Sequence, residues 1–317
     1  MMREHARKTE PHATRAAGRG AALGRLPVIG TVLLVSLLWS YWAVAIGLWR
    51  EWQRDPNYSV GQLVPLAALY VLWHARDEIR AATVLTCWWG LVVLVGAQVL
   101  RLGGLLFLYE SAERYALVLT VGGLVLLTTG KHVFWRVRWV LAFLLLMVPL
   151  PGRVHNAISG PLQDWATVAT VAVLDLCGVY VSREGNILTL SGNVPVGIAE
   201  ACSGLRMLTA FVVVAGVLAL LAQRPAWQRV TLLVSSVPIA IVCNVVRVCA
   251  TIALYLHVGR GAAERFIHDF AGVSMMPLAI GLLLGELWLL SQLVVADAGG
   301  TSAHRSVPVR AELSDTA

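Results

Sequence analysis

Residues 230–256 read VTLLVSSVPIAIVCNVVRVCATIALYL, a run whose one charge is Arg247. A helix of about 17–25 apolar residues crosses the hydrocarbon core of a bilayer. A helix that is apolar on every face belongs in a membrane or deep inside a large protein. This run therefore reads as a transmembrane helix. Working outward, seven further apolar runs lie at about 27–48, 60–74, 81–100, 115–130, 138–151, 203–222 and 272–295. Together they predict an all-α polytopic membrane protein with about eight transmembrane helices. The runs at 60–74 and 138–151 are short and are read as extending into their flanks. Another apolar stretch, 162–181, carries Asp164 and Asp175 and is followed by 182–200, too polar to return the chain across a membrane. It reads as an interfacial or re-entrant helix.

Bulk composition agrees with this reading. Of 317 residues, 58% are apolar and 14% charged, against about 25% charged in ordinary soluble domains. The mean hydropathy is +0.72. The formal charge of +7 does not point to nucleic acid, because the basic residues form short clusters between apolar runs. Such clusters are topology signals. Fifteen of the 25 Lys and Arg, from Arg3 to Arg310, fall in the segments that an N-inside orientation places on the cytoplasmic side. The bias predicts both termini inside. Residues 1–26 form a basic cytoplasmic tail, 27–296 the membrane domain, and 297–317 a polar cytoplasmic tail.

The longest loop, about 152–201, then faces outward. Within it, β-prone runs flank Gly185–Asn186 between Val179 and Asn193, the signal of a short hairpin. No glycine-rich nucleotide motif, internal repeat or CxxC pair is present, and neither a cofactor nor a metal is expected. Five cysteines occur, at 87, 177, 202, 243 and 249. Cys87, Cys243 and Cys249 sit inside apolar runs, where a small buried thiol is the ordinary reading.

Three outward features carry chemistry. Cys202 lies in Glu200-Ala-Cys-Ser-Gly-Leu-Arg206 at the start of the 203–222 run, where a helix dipole favours thiolate and Arg206 adds positive charge. Arg247 lies deep in an apolar helix, where a charge costs about 2.5–3.5 kcal/mol on insertion scales. It requires a partner, for which Asn244 on a neighbouring face and Glu286 on the last run are the candidates. His268, in His268-Asp-Phe-Ala-Gly272, is able to take and return a proton near neutral pH, and His257 is its nearest competitor. A thiolate, a proton carrier and a cation for the developing oxyanion are what nucleophilic acyl transfer needs.

At these residues the sequence resembles the exosortase/archaeosortase family of integral membrane cysteine transpeptidases. Further pieces match in order. Residues 52–65, from Trp52 to Pro65, resemble the family's first outer loop, and Met147-Val-Pro-Leu-Pro151 its Pro-Leu-Pro element. Arg183-Glu-Gly-Asn-Ile-Leu-Thr-Leu190 precedes the cysteine block, and Asn244-Val-Val-Arg247 precedes the His268 segment. The likeness extends over nearly all of 27–295. One departure is Val60, where the family's first outer loop usually has His before Gly.

The resemblance implies a cysteine-type peptidase/transpeptidase of the bacterial inner membrane, with its active site facing the periplasm or exterior. Its partners would be exported proteins with a C-terminal signal made of a Pro-Glu-Pro-like motif, a transmembrane helix and a basic cluster. The acyl group would pass to a membrane lipid or surface acceptor, and no nucleic acid is involved. By position, Cys202 is the nucleophile, with Arg247 and His268 completing the catalytic set. Glu200, Ser203, Arg206 and Asn244 are supporting or substrate-contacting residues. The competing classes are a transporter or flippase, with Arg247 and Glu286 lining a path, and a non-catalytic subunit of exopolysaccharide export.

Overall fold

The computed structural model describes residues 30–185, 187–190, 194–197, 204–222, 224–258, 261 and 275–298. The described chain is largely helical. Its first apolar run breaks at Tyr41 into α1 (Gly30–Ser40) and α2 (Trp42–Arg54), inclined to each other by 61°. At this break the Arg101 guanidinium donates to the Ser40 carbonyl (2.6 Å) and hydroxyl (2.7 Å), and it stacks over the Tyr41 ring. A cation from another helix thus satisfies the carbonyl that the bend turns outward. The Tyr41 hydroxyl meets Thr120 at 2.8 Å, both buried.

A 3₁₀ turn over Ser59–Gln62 leads into α3 (Leu63–His74) and the short α4 (Arg76–Arg80). Then come α5 (Trp89–Leu106), the long α6 (Glu110–Leu144) and α7 (Gly152–Leu176). After the strands follow α8 (Leu205–Leu221), α9 (Ala226–Val258) and α10 (Met275–Ala298).

The expectation of about eight transmembrane helices is not met. Among the described residues three helices are long and apolar enough to cross a membrane: α5, Glu110–Met147 and α9. The α1–α2 pair makes a fourth if the bent pair is one span. The physical reason is length, because several of the apolar helices are too short to cross on their own. The runs 115–130 and 138–151 both fall within α6, which is broken at Gly130 (φ +84°) into two helical limbs. The limbs pack against each other, a Cβ at Gly122 standing 3.7 Å from the Leu141 side chain. On the second limb the Arg138 guanidinium stacks over Trp135 at 4.1 Å and Arg136 donates to the Glu78 carbonyl. Three other apolar stretches, Ser59–His74, Leu205–Leu221 and the Pro277–Gln292 part of α10, are 17 residues or shorter.

The expected hairpin forms around Gly185 as β1 (Val181–Glu184) and β2 (Ile187–Leu190), in antiparallel register with Val181 opposite Leu190. A third strand, β3 (Val194–Gly197), adds to β2, giving the order β1-β2-β3. The sheet is tied to α7 by an Arg183–Asp164 ion pair (3.3 Å). Leu188, fully buried, packs with Leu174, Val248 and Ile252, so β2 anchors on α9 next to Arg247.

Two larger apolar clusters hold the helices. One joins α2, α3, α6 and α8 through Leu48, Trp52, Val64, Phe143 and Val213, and Trp52 Nε1 donates to the Met147 carbonyl at 3.0 Å. Val60 belongs to this cluster, so the residue that departs from the family's usual histidine is a core side chain here. The other cluster joins α8, α9 and α10 through Met207, Phe211, Leu232, Cys243 and Leu283. Outward faces stay apolar: Val92, Val95 and Val99 of α5 are each more than half exposed, as expected of a surface that meets lipid rather than water.

Candidate functional site

The site is built where α8 begins, against α9 and the turn that follows α2. On α9, Asn244 and Arg247 are spaced three residues apart, which puts them on adjoining positions of the same helix surface. Asn244 is 1% exposed and Arg247 7%. Arg247 Nη2 donates to Asn244 Oδ1 at 3.0 Å, and the Arg247 carbonyl accepts from Thr251 Oγ1 at 2.9 Å. A buried guanidinium needs such acceptors, because burying it without them costs far more than the hydrogen bond returns.

The start of α8 rests on that pair. Gly204, the N-cap of α8, is left-handed at φ +65°, and a Cβ there would stand 3.3 Å from Asn244 Nδ2. Glycine suits the position twice over, by its backbone angle and by the closeness of the amide. One helical step on, Arg206 Nε donates to the Pro56 carbonyl at 2.9 Å, and Thr209 Oγ1 donates to the Asn57 carbonyl at 3.1 Å. The turn Asp55–Tyr58 is thereby pinned to the first turns of α8. It is internally fixed as well, with Asp55 Oδ1 accepting the Asn57 N–H at 2.8 Å, an Asx turn.

Arg206 therefore sits between opposed charges, repelled by Arg247 and attracted by Asp55. On the other side of the same turn the Tyr58 hydroxyl meets His155 Nδ1 at 2.6 Å. Desolvation, reinforced by the Asp55 charge, pushes the Tyr58 phenol up to about 12. The phenol therefore stays protonated at neutral pH.

Of the residues singled out in the sequence, Arg206, Asn244 and Arg247 come together here. Glu200, Cys202, Ser203 and His268 lie outside the described residues. Glu286, the other candidate partner for Arg247, accepts instead from Ser235 Oγ at 2.7 Å. The pairing that would have lined a transport path is thus not formed, and Arg247 is held by Asn244. Cys243 is a buried member of the α8–α9–α10 core. Sequence reasoning passed over Tyr58, Asp55 and His155. Their available signal was the first-loop resemblance over 52–65 and the position of His155 just after Pro151. Among the described residues no group of three His, Cys, Asp or Glu is arranged to hold a metal ion.

A family model described as transmembrane exosortase matches residues 52–285, well over half of the 317. The chain belongs to the transmembrane exosortase family. No curated protein and no solved structure matches it. The matched range of this exosortase runs from Trp52 to Gly285. It takes in the Asp55–Tyr58 turn, His155, the sheet, the cysteine block, Arg247 and His268. It is a multi-pass membrane protein.

Proposed function

We propose that this exosortase is a membrane cysteine transpeptidase that cuts Pro-Glu-Pro-type C-terminal sorting signals from exported proteins and passes the acyl group to a surface or membrane acceptor. The observation that carries the reading is the Asn244–Arg247 clamp with Gly204, two positions beyond Cys202 in the chain, packed on its amide. A guanidinium fixed in that way next to the cysteine block is a preorganised charge for an oxyanion.

In the proposed reaction the Cys202 thiolate attacks the scissile carbonyl carbon. The negative charge that develops on the carbonyl oxygen is stabilised by Arg247, which stays protonated throughout. The tetrahedral adduct collapses by breaking the C–N bond, and His268 gives a proton to the departing amine. This leaves a thioester on Cys202. A nucleophile of the acceptor, or water, then attacks the thioester and gives its proton to His268, and the Cys202 thiolate leaves. Glu200, Ser203, Arg206 and Asn244 support this centre or touch substrate. We place the cysteine block on the exterior face, with both termini inside.

The test is co-expression with a secreted reporter ending in the tripartite signal, followed by its size. Processing is expected in the wild type and in Cys243→Ala, and lost in Cys202→Ala. Processing that persists in Cys202→Ala rules out the cysteine mechanism.

A further inference from the structure

Arg206 has a geometry that the proposed acyl-transfer steps leave unused. Its Nε is occupied by the Pro56 carbonyl, which also accepts Ser59 Oγ at 2.9 Å. The second tie, Thr209 to the Asn57 carbonyl, keeps that turn from swinging away from α8. The guanidinium plane is therefore set by its inner edge, while Nη1 and Nη2 make no hydrogen bond and no ion pair with any described residue. Asp55 attracts the group through space but does not pair with it, and Arg247 repels it. Two guanidiniums held within each other's field, Arg247 buried and Arg206 half-buried, form a cationic seat. An anion placed against it relieves the repulsion and is drawn in by both charges.

The shape of the seat narrows the anion. A fork with its inner nitrogen already committed offers two parallel N–H donors in one plane, the geometry that takes the two oxygens of a carboxylate. We propose that Arg206 is a specificity-determining residue that reads an acidic side chain of the substrate peptide beside the bond cut at Cys202. The inference rests on the proteolytic reading above and goes beyond it by assigning one residue to one feature of the signal.

The experiment uses the full chain in membranes and two secreted reporters, identical in terminal helix and basic cluster, one carrying Pro-Glu-Pro and the other Pro-Gln-Pro. The wild type is expected to process the Glu reporter about 10–100-fold faster, the range a charge-assisted hydrogen bond supplies. Arg206→Gln is expected to process both at the same slow rate, and Arg206→Lys to keep part of the preference. The ratio between reporters is the readout, because a folding defect lowers both rates without changing it. An unchanged preference in Arg206→Gln, or no preference in the wild type, overturns the inference alone. No processing of either reporter by the wild type, or processing by Cys202→Ala, overturns the proteolytic reading and this inference with it.

Discussion

Asn244 and Arg247 form a unit whose parts fail differently. Removing the Asn244 amide leaves a buried guanidinium short of an acceptor, a loss of about 1–3 kcal/mol. Asn244→Ala is therefore expected to cut reporter processing about tenfold or more while the protein still accumulates in the membrane, measured as cleaved fraction normalised to protein level. Arg247→Lys keeps the charge and loses the fork. It is expected to fall at least as far, and activity near wild type would count against a planar, preorganised oxyanion partner. Tyr58 gives a pH-dependent prediction. Its phenol titrates near 12 rather than near the ordinary value of about 10, so the fold favours the neutral form. The stability this contributes is fully present below about pH 10 and is lost as the pH rises towards 12. The gap in melting midpoint between wild type and Tyr58→Phe in detergent should therefore be constant up to about pH 10 and should change only above it, in the direction that costs the wild type.

At the scale of elements, α6 has one vulnerable point. Gly130 lies at φ +84°, and a Cβ there would collide with the Leu85 carbonyl. Gly130→Ala has to move that segment or abandon the backbone angle, and a cost of about 2–4 kcal/mol is expected. It should appear as a lower melting midpoint in detergent and a reduced monodisperse fraction.

The same helix explains what the sequence made legible. Apolar runs mark where helices lie, because burial in lipid or core requires them, and nearly every run from 27 to 295 has a helix within it. The hairpin was legible too, because Gly185 between β-prone runs leaves few alternatives. One helix break was legible: the basic cluster Lys131, Arg136 and Arg138 follows directly on the break at Gly130, although Arg136 and Arg138 themselves lie on the second limb, held by a neighbouring carbonyl and a tryptophan face. Conversely, the 27–48 run looks unbroken, yet it bends at Tyr41, where Arg101 sixty residues away in the chain supplies the missing partner. Partnerships of that kind are tertiary, as are those of Tyr58 with His155 and of Arg206 with Pro56. For the site, residue types at characteristic spacing identified Arg206, Asn244 and Arg247, while the wall contributed by the Asp55–Tyr58 turn depended on packing between distant segments.

For the whole molecule, the number of crossings decides where the ends lie. We propose an N-inside start with the β-sheet outside, α9 returning the chain to the side on which it began. Glu184→Cys in the hairpin, in a background with both Cys177→Ser and Cys202→Ser, is expected to react with a membrane-impermeant maleimide on intact cells. Arg7→Cys and Arg310→Cys in the same background should react only after permeabilisation. Labelling of the terminal cysteines from outside would reverse the proposed orientation.

The central claim is that the reaction passes through an acyl-thioester on Cys202. The direct measurement is a denaturing quench of wild-type membranes turning over the Pro-Glu-Pro reporter, followed by mass spectrometry of the peptide containing Cys202. The account predicts a peptide heavier by the reporter's acyl fragment, returned to its native mass by neutral hydroxylamine. Turnover with Cys202 unmodified throughout, or an adduct on another cysteine, would contradict it.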